Sequence, residues 1–213
     1  MNSLHSLRLY SLKNIFRTAH MKNTIFISLK ILFFMTLLTG VCYPVLVTLV
    51  AKALFPYTSN GSFIDRNGIT VGSELIGQKF IEAKYFLPRP SAIDYNPLPS
   101  GASNLGPTSD SLRKLIEIRK VEFIRRNNLP IHSTVPSEML FASASGLDPH
   151  ISPEAAILQI RRIAKARGLN SSQIERMKAL VENSVQEPQF KILGERRVNV
   201  LQLNIKLDKE YGN

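Results

Sequence analysis

Side chains suited to chemistry are few in this 213-residue sequence, and they are widely spaced. Asp148 and His150 stand two apart in Leu147-Asp148-Pro149-His150-Ile151-Ser152, where a carboxylate could orient an imidazole as a general base. A hydrolytic site would also need a nucleophile, and Ser103 in Gly101-Ala102-Ser103-Asn104-Leu105-Gly106 comes nearest to a nucleophile elbow. That stretch is one residue too long for G-x-S-x-G and follows no strand, so Ser103 reads as a turn serine. His132 and His150 are the only histidines after residue 20, and neither has a second ligand at the spacing of a metal site. No P-loop, dinucleotide fingerprint or zincin motif is present. No catalytic, cofactor-binding or metal-ligating residue is therefore assigned. His150 is expected to hydrogen-bond near a helix start, and Asp148 to join that network or to meet a partner's basic group.

What must position these residues begins with an anchor. Ile31 to Ala51 is a run without a charged residue, long enough as a helix to span roughly 30 Å, the thickness of a bilayer's hydrocarbon core. Arg8, Lys13, Arg17, Lys22 and Lys30 precede it with no acidic residue, which places residues 1–30 in the cytoplasm as a basic tail and residues 52–213 outside. Lys30 sits at the edge, where its ammonium can reach the headgroups. Ala51-Lys52-Ala53 mimics a signal-peptide cleavage site, but the apolar run is about twice the usual signal length, which favours a retained anchor. Cys42 lies mid-span behind bulky Val41 and is a poor lipidation site. Pro44 is expected to kink or loosen the helix.

Composition bounds the rest. About 160 residues follow the span, enough for one compact domain. The single cysteine is in the span, so the external domain has no disulfide. Of the net charge of +11, +5 precedes the span, and after it 22 basic residues are interspersed with 16 acidic ones. A nucleic-acid partner is therefore not expected.

Local signals give an α+β domain with a small antiparallel sheet, a long Pro/Gly-rich loop and about three helices. Ser62-Phe63-Ile64 and Ile69-Thr70-Val71 flank Asn67-Gly68 as a hairpin, and a short Ser-capped turn follows at residues 72–77. Residues 86–109 hold Pro88, Pro90, Pro97, Pro99 and Pro107, a density that excludes helices and central strands. Such a loop is expected to be an ordered surface for a partner, held by Phe86, Tyr95, Leu98 and Leu105. Helices are expected over residues 110–127, with a solvated basic face, from Ser152-Pro153-Glu154 to a Gly168 stop, and from Ser171. Leu201 to Leu207 alternates strictly and reads as a terminal strand.

Motifs along the chain resemble one family. Leu37-Leu38-Thr39-Gly40 with Tyr43-Pro44, Gly72-Ser73-Glu74-Leu75-Ile76-Gly77-Gln78, Arg89-Pro90-Ser91-Ala92 and Tyr95-Asn96 come first. Ser103-Asn104-Leu105-Gly106-Pro107-Thr108, Ala144-Ser145-Gly146-Leu147-Asp148-Pro149-His150-Ile151-Ser152-Pro153 and Leu193-Gly194-Glu195 with Arg197-Val198-Asn199-Val200-Leu201 follow. In that order they are similar to KdpC, the C-subunit family of bacterial Kdp potassium-transporting ATPases. About 20 residues before Met21 exceed that family's short tail, so either Met21 is the start or the chain carries a basic extension. Arg161-Arg162 add surface charge beyond the family's pattern.

The resemblance implies a non-catalytic, single-pass subunit of a bacterial inner-membrane complex. Its partners would be the channel-like KdpA, the phosphorylated P-type ATPase KdpB and the small KdpF, with ATP and potassium bound at the level of the complex and membrane lipid around the span. It implies a part in assembly, and the family's description as a catalytic chaperone that raises the ATP affinity of KdpB. With the large domain periplasmic and ATP cytoplasmic, such an effect is expected through indirect coupling. Thr39, Gly40, Pro44 and Thr48 are then candidates for packing against a partner's helices. Arg89, Pro90, Ser91, Tyr95, Asn104, Leu105, Gly106, Pro107 and Thr108, with Asp148 and His150, are candidates for a cap on the ion entrance, which would tune potassium access or hold the assembly together. The alternative from another class is a membrane-tethered periplasmic hydrolase or binding domain built on Ser103, Asp148 and His150.

Overall fold

The computed structural model describes residues 22–66 and 68–212. The basic tail, Met21 as a start, and Asn67 of the hairpin turn lie outside the described residues. The chain divides into two compact units, Met1–Asn60 and Gly61–Asn213.

In the first unit one helix, α1, runs from Lys22 to Leu54 over 33 residues with none of its apolar window buried. Side chains such as Phe33, Leu32, Leu46 and Leu49 are exposed on all its faces. A helix apolar all round, covered by nothing in its own chain, is compatible with a single-pass membrane segment. Lys30 turns back over the Phe26 ring at 4.4 Å, the direction a snorkelling lysine takes. Pro44 does loosen the helix: residues Leu38–Cys42 form a π-helical segment in which the Tyr43 N–H donates to the Leu38 carbonyl. A proline has no N–H to donate and its ring crowds the carbonyl four residues back, so the preceding turn widens. α1 ends at Leu54, with Phe55 as its C-cap before Pro56, and a single turn, α2, covers Pro56–Ser59.

The second unit opens with the expected hairpin, β1 (Phe63–Arg66) against β2 (Ile69–Ser73), with a bulge between Ile64 and Asp65. Gly68 takes the positive φ of 77° that the turn requires. The following turn is single, with Ser73 Oγ accepting from the Leu75 N–H at 3.1 Å. Helix α3 (Asp110–Arg126) is capped by Ser109. On its basic face Arg119 donates to the Leu140 carbonyl at 2.7 Å and Arg126 to that of Ile81, while Arg113 is exposed. Strand β3 (His150–Ile151) leads into α4 (Pro153–Arg167), capped by Ser152 and stopped at Gly168 with φ 65°. α5 (Ser171–Glu182) opens at Ser171 as expected, on an Asn170–Gln173 capping box. Then come β4 (Val185–Gln186) and β5 (Arg197–Asn199), giving an antiparallel sheet of order β3-β5-β4.

The terminal strand expected at Leu201–Leu207 is instead a helix, α6 (Val200–Tyr211). Its buried residues Val200, Leu201, Leu203, Asn204, Leu207 and Asp208 follow the helical period. Alternation misled because Asn204 reads as solvent-facing within it, whereas it is buried. Asn199 caps the helix by accepting from the Gln202 N–H at 3.1 Å, an Asn-x-x-Gln start visible in the sequence. The unit therefore has four long helices among its described residues, not three. Phe86, Ile151, Ile160, Ile163, Met177, Val198, Leu203 and Leu207 form the core between the sheet and α4 to α6.

Candidate functional site

Buried amides hold the start of the Pro-rich loop. Asn204, on α6, accepts from the Phe86 N–H at 2.8 Å and donates to the Phe86 carbonyl at 3.0 Å. Gln159, on α4, does the same for Leu87 at 2.7 and 3.2 Å. Arg162 is 4% exposed, not a surface charge, and donates to Gln159, Asn127 and the Ala83 carbonyl. Burial, and secondarily Arg126 nearby, brings its pKa down to about 10. Asp208 ties the hairpin to the helices, pairing with Arg167 at 2.8 Å and Arg66 at 3.1 Å and accepting from Tyr85. These polar groups satisfy a stretch that has no ladder of its own.

From that clasp the chain delivers Arg89 to Asp148, at 2.6 Å. Asp148 Oδ1 also accepts from the His150 N–H at 3.0 Å and lies 3.3 Å from the ring Nδ1. Burial alone would raise the Asp148 carboxyl, but its hydrogen bonds with His150, then the Arg89 hydrogen bond and charge, outweigh it and bring the pKa down to about 2. So weak a base holds charge rather than moving protons at neutral pH. Among the described residues Asp148 and His150 make no hydrogen bond to Ser103, which sits exposed at residue 103 of the loop. Arg89 Nε is buried and makes no hydrogen bond among the described residues.

Two glycines let this arrangement close. A Cβ on Gly77 would stand 2.7 Å from the Asp148 carbonyl oxygen, and the Gly77 N–H donates to the Leu147 carbonyl at 2.7 Å. Gly146 has φ 71°, and a Cβ there would meet Ile93 Cγ1 at 2.6 Å and the Gly101 carbonyl oxygen at 3.0 Å.

Arg89, Asp148 and His150 line an open cleft of ≈ 380 Å³ with Glu138, Ser152, Glu195, Arg196 and Arg197. Sequence reasoning singled out the first three and missed the others, although Leu193-Gly194-Glu195 and Arg197 stood in the quoted motifs. A second groove of ≈ 370 Å³, floored by Leu87, Phe123 and Met139, is bordered by Pro90, Ser91 and Tyr95. Ser91 Oγ accepts from the Tyr95 N–H at 2.9 Å, and the Tyr95 hydroxyl donates to the Arg89 carbonyl. Burial first, and the Asp94 charge second, push the Tyr95 phenol up to about 12, so it remains a donor.

The other candidates are not brought here. Asn104, Gly106, Pro107 and Thr108 are exposed and Leu105 half-buried, in a stretch closed locally by the Ser109 N–H donating to the Gly106 carbonyl at 3.0 Å. In α1, Thr39 donates to the Met35 carbonyl and Thr48 to that of Pro44, both at 2.7 Å. Their hydroxyls are thus satisfied within the helix, and a Cβ on Gly40 would meet nothing closer than Thr36 Cγ2 at 3.9 Å.

Comparison with known proteins is consistent across the chain. The family described as KdpC, K+-transporting ATPase, c chain, matches residues 25–209. A potassium-transporting ATPase KdpC subunit of Leptospira interrogans is 48% identical over 190 residues, covering 89% of this chain and 96% of that protein. The subunits of the same name from Geotalea uraniireducens and Photorhabdus laumondii are each 48% identical, covering 84% and 85% of this chain and 95% and 93% of their own. The chain belongs to the KdpC family.

Proposed function

We propose that this chain is the accessory, non-catalytic KdpC subunit of a potassium-transporting ATPase, tethered by α1 to a bacterial inner membrane with residues 1–30 cytoplasmic and the folded unit periplasmic. Family membership over residues 25–209 carries the reading. An assembling role is supported by Arg89 pairing with the Asp148 carboxylate that also bonds His150, while Ser103, the nucleophile of the hydrolase alternative, makes no hydrogen bond to either among the described residues. ATP and potassium act at the level of the complex. The partners are the KdpA, KdpB and KdpF subunits: α1 packs against partner helices around Thr39, Gly40, Pro44 and Thr48, and the 86–109 loop caps the ion entrance. Any effect on the ATP affinity of KdpB passes through that assembly as indirect coupling.

The test is purification of the full chain, tagged at its C-terminus, from membranes of potassium-starved cells. Recovery of a P-type ATPase and a channel-like protein with potassium-stimulated ATPase activity is the expected result. Recovery of the chain alone, in cells shown to express those partners, would overturn the reading.

A further inference from the structure

The π-helical segment Leu38–Cys42 leaves a backbone carbonyl without a donor in its own helix. In an α-helix the Thr39 carbonyl would accept from the Tyr43 N–H, but here that N–H donates to the Leu38 carbonyl. The next residue that could reach it is Pro44, which has no N–H. Threonine hydroxyls can fill such a gap in a membrane helix, yet Thr39 donates to the Met35 carbonyl and Thr48 to that of Pro44. Thr39 also lies deep in the apolar run, about 13 Å of helix from Lys30 and about 20 Å from Lys52. At that depth in a bilayer neither headgroups nor bulk water supplies a donor, and an unsatisfied carbonyl is costly.

A second observation falls on the same peptide group, whose nitrogen belongs to Gly40. A glycine inside a helix weakens it, and α1 does not need this one. Its φ is not positive, and a Cβ there would meet nothing nearer than Thr36 Cγ2 at 3.9 Å, an ordinary contact. What a bare Cα provides is room for a neighbour to come close to the backbone. We infer that the Thr39 carbonyl is a hydrogen-bond acceptor site for a hydroxyl or amide side chain on a membrane helix of another subunit, which reaches it past Gly40. Lipid tails carry no donor. A second copy of α1 would bring Thr39 and Thr48 hydroxyls that already donate to their own helix. The inference rests on the proposed packing of α1 against partner helices and deepens it: the contact is the backbone between Thr39 and Gly40, not a threonine hydroxyl, and Pro44 is the residue that creates it.

Thr39-Gly40 is the only Thr-Gly pair in the sequence, so threonine labelled with carbon-13 at its carbonyl and glycine labelled with nitrogen-15 isolate this one peptide group for solid-state magnetic resonance. The test compares the full chain alone in nanodiscs with the full chain in its complex with the other ATPase subunits. The expected result is that the Thr39 carbonyl carbon moves to higher frequency on assembly, as an amide carbonyl does when it accepts a hydrogen bond. Pro44→Ala returns an N–H and lets the α-helical ladder close, so its Thr39 signal should already lie at high frequency in the chain alone and stay there on assembly. Fluorescently labelled chain should also exchange out of the complex roughly threefold to tenfold faster for Pro44→Ala and for Gly40→Leu than for wild type, the factor one interhelical hydrogen bond is worth. A wild-type signal that does not move on assembly would overturn the acceptor site while leaving the subunit reading intact. Faster exchange for Gly40→Leu with none for Pro44→Ala would reduce the contact to close packing and also overturn it. A dimer of the chain alone that shows the same shift would assign the donor to a second copy, against the inference. A wild-type chain that forms no complex would overturn the proposed function, and this inference with it.

Discussion

The Pro-rich segment is one loop by composition and two by energetics. In its first half Phe86 and Leu87 are buried, with their backbone groups bonded to Asn204 and Gln159, and Arg89 is held by Asp148 and Tyr95. In the second half Leu98 is 81% exposed, and the bond from the Gly101 N–H to the Ser145 carbonyl at 3.2 Å is the main tie to the domain. Absence of regular structure therefore does not measure order. Buried side chains can replace a ladder, and where they do, irregular chain belongs to the core. The second half remains as surface available to a partner.

The clasp gives the largest expected effect. Gln159→Leu leaves both Leu87 backbone groups buried without partners and takes an acceptor from Arg162, so unfolding of the full chain in detergent should show a loss of about 3 kcal/mol, roughly 10 °C in Tm. A loss under about 1 kcal/mol would erase the distinction between the halves. Gly146→Ala strikes where they meet, since its Cβ would press on Ile93 of the first half and on the Gly101 carbonyl of the second. Ile93 can move at its side-chain end but the carbonyl cannot, and φ is positive, so a loss of about 2 kcal/mol is expected in the same assay.

Acid should separate the halves further. The Asp148 pKa is depressed to about 2 from 3.8, so its contribution is fully present above pH 3.8 and is lost as pH falls to about 2. The side chain is 29% exposed, which leaves about 1–2 kcal/mol after screening. Arg89→Leu removes part of what holds the pKa down, so the acid-unfolding midpoint followed by circular dichroism should move up. An unchanged midpoint would mean that Arg89 does not help to hold the ionised carboxylate.

Local signals in the sequence reported local structure well. Asp65 to Val71, Ser152-Pro153-Glu154 and Gly168 carry their own turn, cap and stop chemistry, and the uncharged run at Ile31 to Ala51 carries its own helix. What stayed hidden was polar burial at long range. Asn204 meets Phe86 across 118 residues and Asp208 meets Arg66 across 142, and nothing in the alternation of Leu201 to Leu207 distinguishes a buried amide from a solvated one. Arg162 looked like added surface charge for the same reason. Arg89 and Asp148 were both candidates, but their pairing across 59 residues is a product of the clasp, and Glu138, Arg196 and Arg197 became visible only with the cleft.

The smallest expected stability effect is the sharpest test of what the exposed half is for. Leu98→Ser and Thr108→Ala remove side chains that face solvent, so each should change unfolding stability by under about 0.5 kcal/mol. If this half caps a partner, the same substitutions should reduce co-purification of the other ATPase subunits with the tagged chain, an effect with no counterpart in the isolated protein. Lost co-purification at unchanged Tm would separate binding from folding within one loop. Unchanged recovery would leave the clasped half, with Arg89, Ser91 and Tyr95, as the remaining part of the loop for a partner to meet. In that case order and interface would coincide, and the partner would read the rigid part of the loop, where little entropy is left to lose on binding.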